Sequence, residues 1–137
     1  MSRFRKRKIC LVYQGLQAVF YSLIIDDHDV LQNFEDQITN KIDEKKIAGL
    51  YKIMEYISLG KLLSETQIRQ IKNPKLDNLY EIKKNPLRLY CIKCKSNYYI
   101  ALCNTKTNQK KDIKKFIKIA QEFMQIIDDN HINNLYP

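Results

Sequence analysis

The chain predicts an α+β fold, a small antiparallel sheet with an N-terminal helical hairpin and a C-terminal helix, on three observations. Apolar residues recur at helical spacing over residues 29–59 and again over 109–127. Three strand-like runs lie between these stretches, at 78–84, 87–95 and 98–104, with turn dipeptides separating them. Two more strand-like runs precede the first helix. Strands and helices that come in blocks, without strict alternation, argue for helices segregated on one face of an antiparallel sheet.

Each element has a local cause. Lys8 to Tyr13 reads as a strand, Gln14-Gly15 as a turn, and Gln17 to Ile25 as a second strand rich in Val, Phe, Tyr and Ile. Asp26-Asp27-His28-Asp29 stops that strand and offers N-cap carboxylates to a helix over 29–40, where Val30, Leu31, Phe34 and Ile38 share one face. Asn40 breaks the pattern. A second helix from about 43 to 59 buries Ile47, Leu50, Tyr51, Met54 and Ile57, and Gly60 stops it. Leu62 to Lys75 fits either a short helix or a packed connector, ended by Asn73-Pro74. Asn85-Pro86 and Ser96-Asn97 make the turns of the meander. In the last helix Ile113, Phe116, Ile117, Ala120, Phe123, Met124 and Ile127 form one stripe, opposite Lys111, Lys114, Lys115 and Lys118.

At 137 residues this is one domain with a real core. We read residues 1–16 as a basic extension running into a strand, 17–127 as the domain, and 128–137 as a tail. No apolar run reaches the length of a membrane span. The basic start before Ile9-Cys-Leu-Val-Tyr loosely mimics a signal peptide, but Gln14 and Gln17 interrupt it and no small-residue cleavage site follows, which points to the cytoplasm. The four cysteines fit disulfides, zinc or free thiols. Cys91 and Cys94 form a CxxC, yet residues three apart on a strand face opposite ways, so free thiols in a reducing cell are the better reading.

Charge is segregated. Ile68 to Lys118, 51 residues, carry 14 Lys/Arg against Asp77, Glu81 and Asp112. Residues 1–16 add +5, while 17–67 sum to −4 and 119–137 to −3, within a net +9. Positive charge concentrated on a small sheet and one helix start marks a surface for a polyanion, nucleic acid first.

Within this basic region three passages carry a family resemblance. Leu79-Tyr80-Glu81-Ile82-Lys83 looks like a "LYELR" strand, with Lys83 for its arginine. Leu87-Arg88-Leu89-Tyr90-Cys91-Ile92 looks like a "YRIFY" strand, with Arg88 on the arginine. Thr105 to Ile113 looks like a "KKTxKxxKxEI" passage into the last helix, shortened by about two positions. With the element order, these make the chain resemble the RelE/HigB-like toxins of bacterial type II toxin–antitoxin pairs, over Ile68–Phe123. The resemblance implies a RelE-like fold and an endoribonuclease that cleaves mRNA, often on the ribosome, and is silenced by a cognate antitoxin protein. It implies neither metal nor cofactor and no membrane. The same fold hosts toxins aimed at DNA gyrase, so a non-catalytic toxin or an RNA-binding remnant is the alternative; a zinc-binding scaffold built on the CxxC is a third reading. Asn104 and Thr105 stand where well-studied members of the family place a tyrosine.

Metal-free cleavage through the 2′-hydroxyl needs a base, cations on the phosphate and an acid for the leaving oxygen. Crowded cations lower a lysine pKa towards neutrality, so lysine can act as base while arginine stays charged. On this reading Arg88 clamps phosphate, Lys83 is base or second clamp, and Lys106 is a further phosphate contact. Lys84, Tyr90, Lys93, Lys95, Thr107, Lys110 and Lys111 extend the RNA surface, with the lysines forming one continuous patch. The plainer reading of a lysine here is a solvated face. Glu81 reads as a structural partner of Arg88 or Lys83. Tyr90, Tyr98 and Tyr99 could stack on bases, although packing is favoured for two of the three. His28 among its aspartates reads as strand stop and helix cap before cation site. His131 with Asp129 is a possible acid pair, with an exposed tail histidine the plainer alternative.

Overall fold

A computed structural model describes residues 9–128. The basic arm before Ile9 and the tail with Asp129 and His131 lie outside the described residues. The elements are β1 (Ile9–Gln14), β2 (Val19–Ile25), β3 (His28–Asp29), α1 (Val30–Gln37), α2 (Lys41–Ser58), β4 (Ile68–Gln70), β5 (Leu79–Lys84), β6 (Leu87–Cys94), β7 (Asn97–Thr105) and, after a 3₁₀ turn at Lys106–Asn108, α3 (Gln109–Asp128).

All seven strands belong to one sheet, ordered β1-β2-β7-β6-β5-β4, with β3 paired to β2. The meander β5-β6-β7 is antiparallel as its turns predict. The sheet as a whole is mixed, because β2 runs parallel to β7 over Val19–Ser22 and Asn97–Ile100. This corrects the antiparallel expectation. A first hairpin that enters the sheet beside the last strand can meet it in either sense, and hydrophobic pattern does not choose.

The helices also divide. Leu87, Leu89 and Cys91 face α1 and α2, packing with Phe20, Leu50, Met54, Ile82 and Tyr98. Tyr90 and Ile92, the alternate residues, face α3 through Tyr99, Phe116, Ile119 and Phe123. Helices therefore cover both faces, where one face was expected. An eight-residue strand buried on both sides explains the near-continuous apolar run of β6. α1 and α2 make their main contacts with the sheet, α1 with β2 and β7, α2 with β5, β6 and β1; they are not a hairpin packed mainly on itself. Burial and the neighbouring Glu35 of α1 push the phenol of Tyr51 in α2 up.

The caps are as the residue types dictate. Asp29 accepts from the Leu31 and Gln32 amides at 3.2 and 3.1 Å, and buried Ser22 donates to the same carboxylate at 2.6 Å. Asn40 accepts from the Asp43 amide at 2.8 Å, so α2 begins two residues earlier than its apolar spacing suggests. Gly60, at φ +72°, takes the left-handed position after α2. Leu62 to Lys75 holds no helix; its one regular piece is β4, a short edge strand on β5. The second meander turn sits one residue earlier than predicted, at Lys95-Ser96, with Lys95 at φ +56°. No helix among the described residues is long and apolar enough to cross a membrane.

Candidate functional site

The last turn of the sheet face before α3 begins is polar, and register decides which side chains meet there. Lys83 pairs with Arg88, and Arg88 with Asn104, forming one cross-strand row. The next row is Arg69, Glu81, Tyr90 and Leu102. Thr105 pairs with Leu87, and the Lys106 amide donates to the Pro86 carbonyl at 2.9 Å, so Lys106 closes the same end of the hairpin. The three residues expected to carry catalysis, Lys83, Arg88 and Lys106, are thus gathered at one end of the sheet.

Glu81 is the organising group. It is fully buried, a costly place for a carboxylate unless it is paired and hydrogen-bonded. Arg69 reaches Oε1 through Nε at 3.1 Å and Nη2 at 2.9 Å, and Gln109 of α3 donates to Oε2 at 2.7 Å. Arg88 Nε stands 3.5 Å from Oε2, while its Nη1 donates to the Leu87 carbonyl at 2.9 Å. Glu81 is therefore the structural partner of Arg88 that the sequence suggests, with Arg69 and Gln109 as partners it does not. Arg88 is only 7% exposed, and its Nε has no hydrogen-bond partner among the described residues. Buried Asp112 accepts from Asn104 at 2.9 Å and extends the polar layer under the start of α3.

Tyr90 leaves the list of base-stacking residues. It is fully buried with its ring tilted on Phe116 at 5.5 Å. Burial, then the Glu81 and Asp112 carboxylates, hold its phenol protonated well above the usual tyrosine range. Tyr98 stacks on Phe20 at 4.7 Å and Tyr99 leans on Phe123, so all three strand tyrosines are packing residues.

The predicted basic surface is divided. Lys93 and Lys95 lie at the opposite end of β6, about 20 Å along the strand from Arg88. Lys93 rests over the Tyr98 ring, on the α1/α2 side. Lys84 also points to that side, its stem crossing Gly49 so closely that a β-carbon there would lie 2.7 Å from Lys84 Cε. Thr107, Lys110 and Lys111 are exposed around the start of α3.

Two features escape the sequence reading. Lys46 and Lys52 of α2 join Lys83 and Lys84 around a cleft of about 470 Å³ that Tyr56 and Gln67 also line, with Lys52 ion-paired to Glu55 at 3.4 Å. Segment charge hides them, because the stretch supplying them is acidic in sum; the helical spacing of Lys46 from Gly49 and Ile53 was the available signal. Arg69 lies in a stretch whose sequence suggests only a connector or short helix, and strand pairing places it on Glu81. Cys91 faces α1 and α2 while Cys94 touches Met124 on the α3 side, so the two sulfurs diverge, and burial pushes the Cys91 thiol up. Among the described residues no cluster of His, Cys, Asp or Glu has the makings of a metal site. His28 caps no helix; Asp29 does, and His28 stands exposed in β3, paired with Ile25 of β2.

The chain matches no protein-family model, no curated protein and no solved structure.

Proposed function

We propose that this protein is an RNA-directed toxin of the RelE/HigB-like kind: a metal-independent endoribonuclease that cuts mRNA and is held silent by a cognate antitoxin protein. The observation that carries the reading is the row Lys83–Arg88–Asn104 with Lys106 closing its end. The element order is consistent with it, with the short strands β3 and β4 added to the two strands, two helices, meander and helix of the resemblance. Lys83 takes the proton of the 2′-hydroxyl, and the freed oxygen attacks phosphorus. The bond to the 5′-oxygen breaks, leaving a 2′,3′-cyclic phosphate, and the departing oxygen takes up a proton from solvent water. Lys106 and the guanidinium of Arg88 hold the negative charge that builds on the phosphate. The lysine-lined cleft beyond Lys83 continues the path for the backbone round the hairpin end.

Burial of Arg88 against Glu81 favours one second reading, a non-catalytic binder of the same fold, directed at RNA or at gyrase. Arg88 then braces the sheet and the exposed lysines do the binding. Inducible expression followed by primer extension on cellular mRNA separates the two. New 5′ ends within messages support the ribonuclease; growth arrest with intact messages supports the binder, and no arrest with intact messages removes the toxin reading.

A further inference from the structure

β2 and β7 run parallel, but their pairing stops at Ser22 and Ile100 while both strands continue, to Ile25 and Thr105. An irregularity in the β6–β7 register between Tyr90 and Cys91 leaves Ala101 unpaired and bends β7 at that point. The chain leaves β2 towards α1 on one face of the sheet, and leaves β7 into α3 on the other. A crevice at the carboxyl ends of adjacent parallel strands whose following helices go to opposite faces is where open sheets bind small ligands. A cavity of about 330 Å³ sits there, within the size range of such sites.

Its lining selects the ligand. Ile25, Phe34 and Leu102 supply apolar surface, and the exposed amides of Asn33 and Gln37 supply paired donors and acceptors, while the Asn104 amide is held by Asp112 and the Thr105 backbone. Lys115 is offset by Asp26 and Asp112, so the cavity has no net preference for an anion. Apolar walls with amide edges fit a flat, neutral ring whose rim mixes donors and acceptors. Asn104 belongs both to this lining and to the row that contains Arg88. Arg88 therefore lies one strand over from the crevice wall at Asn104, roughly 4.8 Å, a step that a single nucleotide bridges.

The geometry points to this crevice as a nucleobase site, which takes an unpaired base while the adjoining phosphate lies on the Lys83–Arg88–Lys106 end of the sheet; this rests on the RNA reading above. The test uses the full chain labelled with ¹⁵N and follows the side-chain amide signals of Asn33, Gln37 and Asn104. The probes are the four ribonucleosides, inorganic phosphate and a short single-stranded oligoribonucleotide. At least one nucleoside shifts these signals saturably, phosphate alone does not, and Asn33→Ala, at an exposed position, weakens that nucleoside about fivefold with the fold unchanged. An oligoribonucleotide that binds more tightly than the nucleoside identifies an RNA strand as the source of the base; equal affinity identifies a free nucleoside. If no nucleoside moves the amides while RNA is still cut, the crevice inference is overturned and the ribonuclease stands. If a nucleoside binds but messages stay intact, the crevice stands and the ribonuclease reading falls. Shifts caused by phosphate alone overturn the base assignment.

Discussion

The two ends of the meander look alike in sequence and differ in structure. At one end, Lys83, Lys84 and Arg88 flank a turn; at the other, Lys93 and Lys95 do. The second end has Tyr98 inside and its lysines at the rim, with Lys93 lying on the aromatic ring. The first end brings β4, β5, β6 and the start of α3 onto one buried carboxylate. Density of charge does not separate them. Convergence of elements from distant parts of the chain does, because a buried ion must be met from several directions at once.

Removing the carboxylate breaks that comparison most severely. Glu81→Ala leaves Arg88 buried without a counter-ion and costs about 3–5 kcal/mol, read as a lower urea midpoint. Lys93→Ala at the other end shifts the midpoint by less than about 0.5 kcal/mol. A fall of similar size at both ends would put the organising role elsewhere.

Arg88→Ala is next. It leaves Glu81 to Arg69 and Gln109, and costs on the order of 2 kcal/mol, part of it from lost packing of the arginine stem. If Arg88 holds the phosphate, RNA cleavage also drops by roughly a hundredfold or more after correction for the folded fraction. Arg88→Lys restores little of it, since a point charge cannot replace the planar fork. Cleavage that falls only with the folded population marks Arg88 as a brace.

The lysines sharpen the contrast more gently. Lys83→Ala or Lys106→Ala should lower the slope of log affinity for RNA against log salt by about 0.7 per single-strand phosphate lost. Lys93→Ala and Lys95→Ala should leave the slope unchanged. An equal effect from all four would mean that the chain binds RNA through diffuse charge.

Tyr98 provides the smallest effect, at alkaline pH. Burial, then Tyr80 and Cys91, push its phenol up from an ordinary value near 10 to about 12. A folded value above the unfolded one means that this contribution to stability is complete below pH 10 and disappears as pH rises through 12. Phenolate absorbance in the native protein should therefore contain a component near pH 12 that Tyr98→Phe removes. Loss of a component near pH 10 instead would contradict the packed environment of the second end.

Much of the fold was legible because it is written locally. The stripe Ile113–Phe123, the strand break at Asn85-Pro86 and the Asp29 cap each depend on residues within a few positions. The parallel pairing of β2 with β7 joins positions nearly eighty apart, and no local pattern encodes its sense. Placement of helices on both faces follows from that pairing and was lost with it. At the site, Lys83, Arg88 and Lys106 could be read as neighbours because hairpin register sets two of them opposite each other and the third closes the same hairpin. The burial of Arg88 could not, since an arginine in a strand is ordinarily exposed and only Glu81, Arg69 and Gln109 together make its position tolerable. The burial of Tyr90 is hidden for a related reason: its surroundings come from α3, farther along the chain.

Glu81 collects partners from residues 69, 88 and 109, and the last of these is the first residue of the final helix. The site consequently has an order of completion. A chain folding from its N-terminus can pair β4, β5 and β6 and bring both arginines to the carboxylate, yet one carboxylate oxygen waits for Gln109. Docking of α3 supplies that donor and covers the tyrosine beside it in the same step. Final assembly of the cationic end and closure of the apolar core are thus one event, so a chain cut short before its last helix lacks both.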